Sequence, residues 1–598
     1  MTLNKSFLLL YIIMSTCDNE SLNLTDLKDK INDAIEAGGY DPINDNPTPI
    51  TQADFTKPYI IDKPGKYKLV EDIKVNFYPA PYDIFDVQST GNDLFGFPAA
   101  IKITATGVDL DLNKHTLYQS PQDFCVQRFF ALIQLNNTPF AINAGPIPKS
   151  YCALESAECV RIHNGELGLT SHQCILGNDN KNILIEDVSM CDFEVTAVTL
   201  NNAQQVYFDR VYIKRSIGIN RLLPVSAYWS SLIFNYRLLK LAFVKFYITS
   251  CEQNFIINTN NHIRNSLTPF LDVIYGNRTL TCIYRKCEYL ANKIMPYLKF
   301  LFNSSKVSPC AVHGIKITGP NPTVTAFHQA IDDDPEKRKS TNITLSQCTI
   351  EKLIAQVEPT LCVTYDKKPI HIGAGLKLTA DLLCVPLIQD LVYTMNILGR
   401  NPTVNAFIRT TVNDDIVSFV KEKNNCSQRV GFDGAMDMMG HINKGVMALR
   451  LGSNCVVDIS QCHINEIRNE GKKLDMAAAH CLLAKYSVKQ IDFTSDTFLS
   501  PMNYHGSYAM GAIISGCEGV TIQDCSINEI VAPHGAAVGL AVNNECKDIT
   551  VDGLNIWNLT SCNTCFDSAT FVIDEASKNI TIGPKTMKLN PNSSAIHS

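Results

Sequence analysis

The sequence predicts an all-β, single-stranded right-handed parallel β-helix with an N-terminal helical cap and helical or irregular insertions. Three observations lead there. Short apolar-x-apolar stretches recur at a fixed interval. Each is followed, after a constant change of phase, by a second such stretch. The same residue types then return to the same place in successive repeats.

Val160, Ile183 and Val206 stand 23 residues apart and open Val160-Arg-Ile162, Ile183-Leu-Ile185 and Val206-Tyr-Phe208. Alternation of period two marks a strand with one buried face. The phase break before Val188 and Val211 marks a bend, after which a second strand begins. The pattern returns at Ile343-x-Leu345-x-x-Cys348-x-Ile350, Val457-x-Ile459-x-x-Cys462-x-Ile464, Val520-x-Ile522-x-x-Cys525-x-Ile527 and Ile549-x-Val551-x-x-Leu554-x-Ile556. No coil can bury its apolar face alone; stacking builds the core. Cys348, Cys462 and Cys525 occupy the place of Val188 and Val211, which reads as buried thiols acting as small hydrophobes. Ile491-x-Phe493 is read as a coil between those of Val457 and Val520. On that count Glu466 and Glu529 fall two coils apart.

In chain order, residues 1–56 are read as a leader followed by a cap and linker. Lys5 and the apolar run Phe7–Met14 resemble a short signal peptide, too short for a membrane span. That implies a secreted, surface or virion location, whereas a start at Met14 implies a cytoplasmic assembly site. Leu24, Leu27, Ile31 and Ile35 among charged residues predict an amphipathic helix stopped by Gly38-Gly39. Residues 57–217 hold the first coils and 218–309 an insertion, with an apolar stretch at Tyr236–Tyr247. Coils resume over 310–360, a second insertion with helices spans 361–439, and 440–590 carries the C-terminal coils before a tail at 591–598.

The stretch Ile60-Ile-Asp-Lys-Pro64-Gly65-Lys-Tyr-Lys-Leu69 and the companion Gly107-Val-Asp-Leu-Asp-Leu-Asn113-Lys-His-Thr116 resemble the opening coils of the pectin-lyase-like β-helix family. Lys114 replaces a glycine usual in that pattern. The resemblance covers roughly residues 57–590 and implies the right-handed fold. Its members include polysaccharide-degrading enzymes, phage tailspikes and proteins of large DNA viruses, and this chain looks like a large-DNA-virus member.

Composition narrows function. With 52 basic and 59 acidic residues and a formal charge of −7, no long basic block offers a nucleic-acid interface. No cofactor or metal is expected. Polygalacturonase-like members carry Gly-His-Gly and Arg-Ile-Lys elements, and neither occurs here. The outward acids that a glycoside hydrolase or lyase would use are Asp458, Asp492, Asp524, Glu466 and Glu529, since such enzymes need two carboxylates about 5–9.5 Å apart. None forms a recognisable pair in sequence. A polar ridge with Tyr504, Tyr508, Asn528, Asn543, Asn544 and Trp557 suits either a structural amide ladder or glycan binding. The expected function is therefore structural or surface recognition: a virion component, with homo-trimeric assembly as one form, binding host glycan or a partner protein. The alternative is a polysaccharide-degrading enzyme.

Overall fold

The computed structural model describes residues 23–40, 46–76, 99–120, 124, 130–136, 155–215, 312–319, 340–355, 361–365, 368–372, 445–470, 508–533, 535–561, 568–588 and 596–597. The leader, Asp492, Tyr504 and most of the two expected insertions lie outside them.

Each coil supplies a leading, a middle and a trailing strand. The eighth coil shows the plan with Tyr508–Ser515, Glu518–Gln523 and Ser526–Ala532. Leading strands stack into an 11-stranded sheet, and middle and trailing strands into a 19-stranded one. Pairing is parallel between all of them; the antiparallel hairpin Leu361–Tyr365 and Lys368–Ile372 stands apart as a 2-stranded sheet. Register follows the repeat: Val160 pairs with Ile183, Ile183 with Val206, Val206 with Ile343, and Ile343 with Val457. The inward residues of these ladders make one continuous core from Ile50 to Phe571.

One expectation is corrected. Val457 pairs directly with Val520, and Ile467 with Ile530. No coil lies between these two, so Glu466 and Glu529 belong to adjacent coils; Ile491 itself lies outside the described residues. An isolated apolar-x-apolar triplet lacks the second strand that identifies a coil, which is why the count failed.

The bends have a uniform chemistry. Between middle and trailing strands, Asp187, Arg210, Gln347, Gln461 and Asp524 all adopt left-handed backbone, with φ of 52°, 51°, 53°, 52° and 50°. The next residue in each coil, Val188, Val211, Cys348, Cys462 or Cys525, is buried. The three thiols are free. A second left-handed column opens the middle strands at Gly107, Cys159, Asn182, Gln205, Asn342, Val456, Gly519, Asp548 and Asn579. Polar residues and glycine tolerate this region; a β-branched valine is strained there.

A third column consists of small residues in the leading strands. A Cβ on Gly511 would stand 2.5 Å from Ile527 Cγ2 and 2.6 Å from the Gly539 carbonyl, and one on Gly539 would stand 2.7 Å from Ile556 Cγ2. The isoleucine of each trailing strand fills the space that these glycines leave.

Helix α1, Leu24–Ala37, is the N-terminal helix, whose Asn23 cap accepts from the Thr25 amide at 2.8 Å. Its buried Leu27, Ile31 and Ile35 pack with Cys159 and Leu184 on the outer side of the middle strands. A charged clasp fastens it. Lys28 Nζ lies 2.8 Å from Glu186 Oε2, and Arg161 bonds the other oxygen of the same carboxylate. Arg161 also stands 3.6 Å from Asp109, which is 2.9 Å from His163 Nε2. Arg210 adds an ion pair to Asp187 at 2.7 Å.

Candidate functional site

The described sequence-derived candidates fall on separate parts of the coils. Asp458 faces outward from a middle strand, in register with Thr344 on one side and Thr521 on the other. Burial raises its carboxyl above the usual range, with a hydrogen bond to Thr521 opposing. Among the described residues, no second acid of the candidate set joins it. Asp524 is an exposed bend residue whose left-handed backbone accounts for its place. Asn543 ends a leading strand and Asn544 begins the corner after it, where the backbone N–H of the exposed Asn544 donates to Asp574 Oδ2 at 2.6 Å. Tyr508 begins the leading strand of the eighth coil.

Asn528, Trp557, Glu466 and Glu529 do come together, on the outer face of the trailing strands of the seventh, eighth and ninth coils. Those strands are His463–Asn469, Ser526–Ala532 and Asn555–Ser561. Asn465, Asn528 and Trp557 are register partners, each projecting between inward isoleucines and leucines. Asn528 Nδ2 donates to Asn465 Oδ1 at 2.8 Å, and Asn558 Nδ2 donates to Asn528 Oδ1 at 2.8 Å. The amides thus form a ladder across three coils, with the Trp557 ring beside its last step. Along the same face, His463 Nδ1 is 2.9 Å from Ser526 Oγ.

The neighbouring row is charged. Glu466 and Glu529 hold equivalent places in adjacent coils, both in left-handed backbone with φ of 55°. Arg468 sits between them, with Nε 3.6 Å from Glu466 and an ion pair to Glu529. The three side chains are 23%, 36% and 33% exposed, so solvent moderates their attraction and leaves the group reachable. Chemically, this surface offers amide donors and acceptors, a flat ring and a compensated acidic pair. That combination suits the hydroxyls and C–H faces of a sugar, or a polar protein loop.

Asn465, Asn558 and Arg468 were missed in the sequence. Asn465 had a signal: Ile464-Asn465 and Ile527-Asn528 occupy the same place in their repeats. Arg468 had none, because the carboxylate it bridges lies 61 residues away.

No helix among the described residues is long and apolar enough to cross a membrane. No protein-family profile matches the chain, and no curated protein matches it. Solved structures do. A surface adhesin of Streptococcus pneumoniae, PfbA, aligns at 9% identity with a TM-score of 0.31, covering 94% of this chain and 87% of that one. The tailspike of Escherichia coli bacteriophage HK620, solved with a pentasaccharide, aligns at 7% identity and 0.28, covering 90% and 64%. The A-module of the mannuronan C-5 epimerase AlgE4 from Azotobacter vinelandii aligns at 8% and 0.27, covering 98% and 99%. By its own ladder of parallel strands, the chain is a right-handed parallel β-helix closed by an N-terminal helix.

Proposed function

We propose that this chain is a structural or surface-recognition protein, a virion component that binds a host glycan or partner protein along the trailing-strand face of its seventh to ninth coils. One observation carries the reading: the Asn465–Asn528–Asn558 ladder with Trp557 at its edge, repeated at strand spacing on an accessible surface. Fixed amides lose little freedom on engaging a ligand, and an extended scaffold supplies many equivalent contacts. The test has two arms. Glycan-array binding of the full chain, with Trp557→Ala and Asn528→Ala as comparisons, should show a bound class that both substitutions weaken. Mass spectrometry of washed particles should recover the chain in stoichiometric amount. Absence from particles together with an empty array would refute the reading. In the trimeric form, light scattering would report three times 66.3 kDa.

The enzymatic reading rests on a different observation, the stacking of Glu466 on Glu529 in adjacent coils. Strands in a ladder lie about 4.8 Å apart, close to the shortest carboxyl separation of a two-carboxylate mechanism, about 5 Å. It predicts release of reducing ends or unsaturated sugars from a uronate or neutral glycan, abolished by Glu466→Gln or Glu529→Gln. The Arg468 bridge speaks for the structural use, since its ion pairs engage both carboxylates with a side chain of the protein itself.

A further inference from the structure

On the opposite side of the molecule, the leading strands of the sixth and seventh coils, Val312–Thr318 and Gly445–Gly452, set two cations side by side. Lys316 and Arg450 are direct register partners. Each stands between inward residues of the core, Ile315 and Ile317 in one strand and Leu449 and Leu451 in the other, so both project outward. Their backbones are about 4.8 Å apart. His313, on the same strand as Lys316, is 3% exposed, and neither ring nitrogen has a hydrogen-bond partner.

Like charges so placed repel unless something intervenes. The register neighbours supply no anion: Thr199 precedes Lys316, Ile513 follows Arg450, and Thr196 and Met447 flank His313. Among the described residues, no carboxylate forms an ion pair with either cation. Elsewhere on this chain the basic side chains of comparable burial are matched; Arg161, for instance, meets Glu186 and Asp109. A buried polar ring without a partner is itself costly. Among the described residues, all three groups therefore present N–H donors with no acceptor.

We infer that Lys316, Arg450 and His313 form a binding site for a single small oxyanion group: a carboxylate, sulfate or phosphate, free or carried on a larger ligand. The guanidinium and ammonium grip the anion from neighbouring rungs, and the His313 ring N–H donates from below. Lys316 and Arg450 are only partly exposed, so the anion enters a half-enclosed setting where charge-assisted hydrogen bonds are strong. Burial, with the charge of Arg450 added, lowers Lys316 to about 7, and burial lowers Arg450 to about 10. Burial and the two nearby cations hold His313 neutral, well below its ordinary range. The titratable groups on this face among the described residues are these three, with Lys102 four rungs away along the row. An arriving anion favours the charged ammonium, so binding near neutral pH takes up protons.

Calorimetry tests this on the full-length chain. Sodium sulfate, sodium phosphate and sodium acetate are titrated separately at ionic strength held constant with sodium chloride, in two buffers of different ionisation enthalpy. At least one oxyanion should bind saturably at one per chain, with proton uptake at pH 7.5. The order of the three separates tetrahedral from planar preference. Lys316→Met and Arg450→Met should each weaken binding at least about tenfold, and Lys316→Met should abolish the proton uptake. Because either substitution removes a like-charge contact, thermal unfolding of both variants should occur at or above the wild-type temperature, which guards against a folding failure. No saturable heat from any of the three salts, or unchanged affinity in both variants, would overturn the assignment.

Discussion

Replacing Glu186 by Gln should loosen the helical cap while leaving the coils intact. The carboxylate is only 2% exposed and receives Lys28 from helix α1 and Arg161 from the preceding coil. Burial alone would raise it, but the Lys28 hydrogen bond and the Arg161 charge outweigh that and hold it below the usual glutamate range. Glutamine keeps an acceptor for Lys28 but loses the charge, and its amide hydrogens confront the Arg161 guanidinium. Charge-assisted hydrogen bonds contribute about 1.5–3 kcal/mol each, so the net loss is about 2 kcal/mol. That corresponds to roughly thirtyfold more frequent opening of the helix. Hydrogen exchange read by mass spectrometry measures it directly, comparing a peptide over Leu24–Ala37 with a reference over Val520–Ile530. The same substitution in a Lys28→Met background should cost less, because the partner is already gone. Acid supplies an independent check. A depressed carboxylate contributes stability that is fully present above its unfolded value of about 4.3 and is lost as pH falls through the lower folded value. Protection of α1 should therefore drop at acidic pH in the wild type, with this component missing from Glu186→Gln. Equal exchange of the Leu24–Ala37 peptide in wild type and variant would refute the clasp.

Three further outcomes follow from the columns. Gly511→Val should lower the urea midpoint by an amount equivalent to about 2–3 kcal/mol, because its Cβ meets Ile527 and a ladder carbonyl that cannot retreat; an unchanged midpoint would mean that the strands separate more easily than the packing implies. Val456→Asn should raise stability by about 1 kcal/mol, since a β-branched side chain is strained in left-handed backbone where asparagine is tolerated; destabilisation would show that its side-chain packing outweighs the backbone strain. The thiols of Cys348, Cys462 and Cys525 should resist alkylation until the protein unfolds: the neighbouring Cys348 thiol, together with burial, pushes Cys462 up, and Cys462, together with burial, does the same to Cys525. Cys525→Val should stay within about 1 kcal/mol of wild type, and rapid labelling of the native chain would count against the assignment.

The coils were legible because parallel stacking repeats one environment many times, so Val160, Ile183 and Val206 announce their equivalence through spacing alone. The bend cysteines were legible for the same reason, as stand-ins for Val188 and Val211. What escaped was whatever depends on contact between rungs rather than pattern along a rung. The pairing of Lys28 with Glu186 joins a cap to a coil across unrelated sequence. The left-handed column that opens the middle strands could be suspected at Asn182 and Asn342 but not at Val456, whose β-branched side chain disfavours that conformation. Ile491 matched the first half of the repeat and was counted as a coil, which misplaced Glu466 relative to Glu529. At the candidate site, Asn528 and Trp557 were found singly. Their union with Asn465 and Asn558 required the register.

The ladder also sets an order of events in time. From the third to the fifth coil, successive rungs are close in sequence, as the 23-residue steps from Val160 to Val206 show. Ile213 then pairs with Ile350, and His463 with Ser526, across far longer stretches of chain. During synthesis at about 5–20 residues per second, the first five coils are complete while the next rung is still several seconds from emerging. Their last strands must wait with unpaired edges, and the delay is kinetic, since closure entropy grows only slowly with loop length. The early coils thus act as a template onto which later ones crystallise, and the junction between fifth and sixth coils becomes the point at which a nascent chain is most open to capture by a chaperone or by another copy of itself.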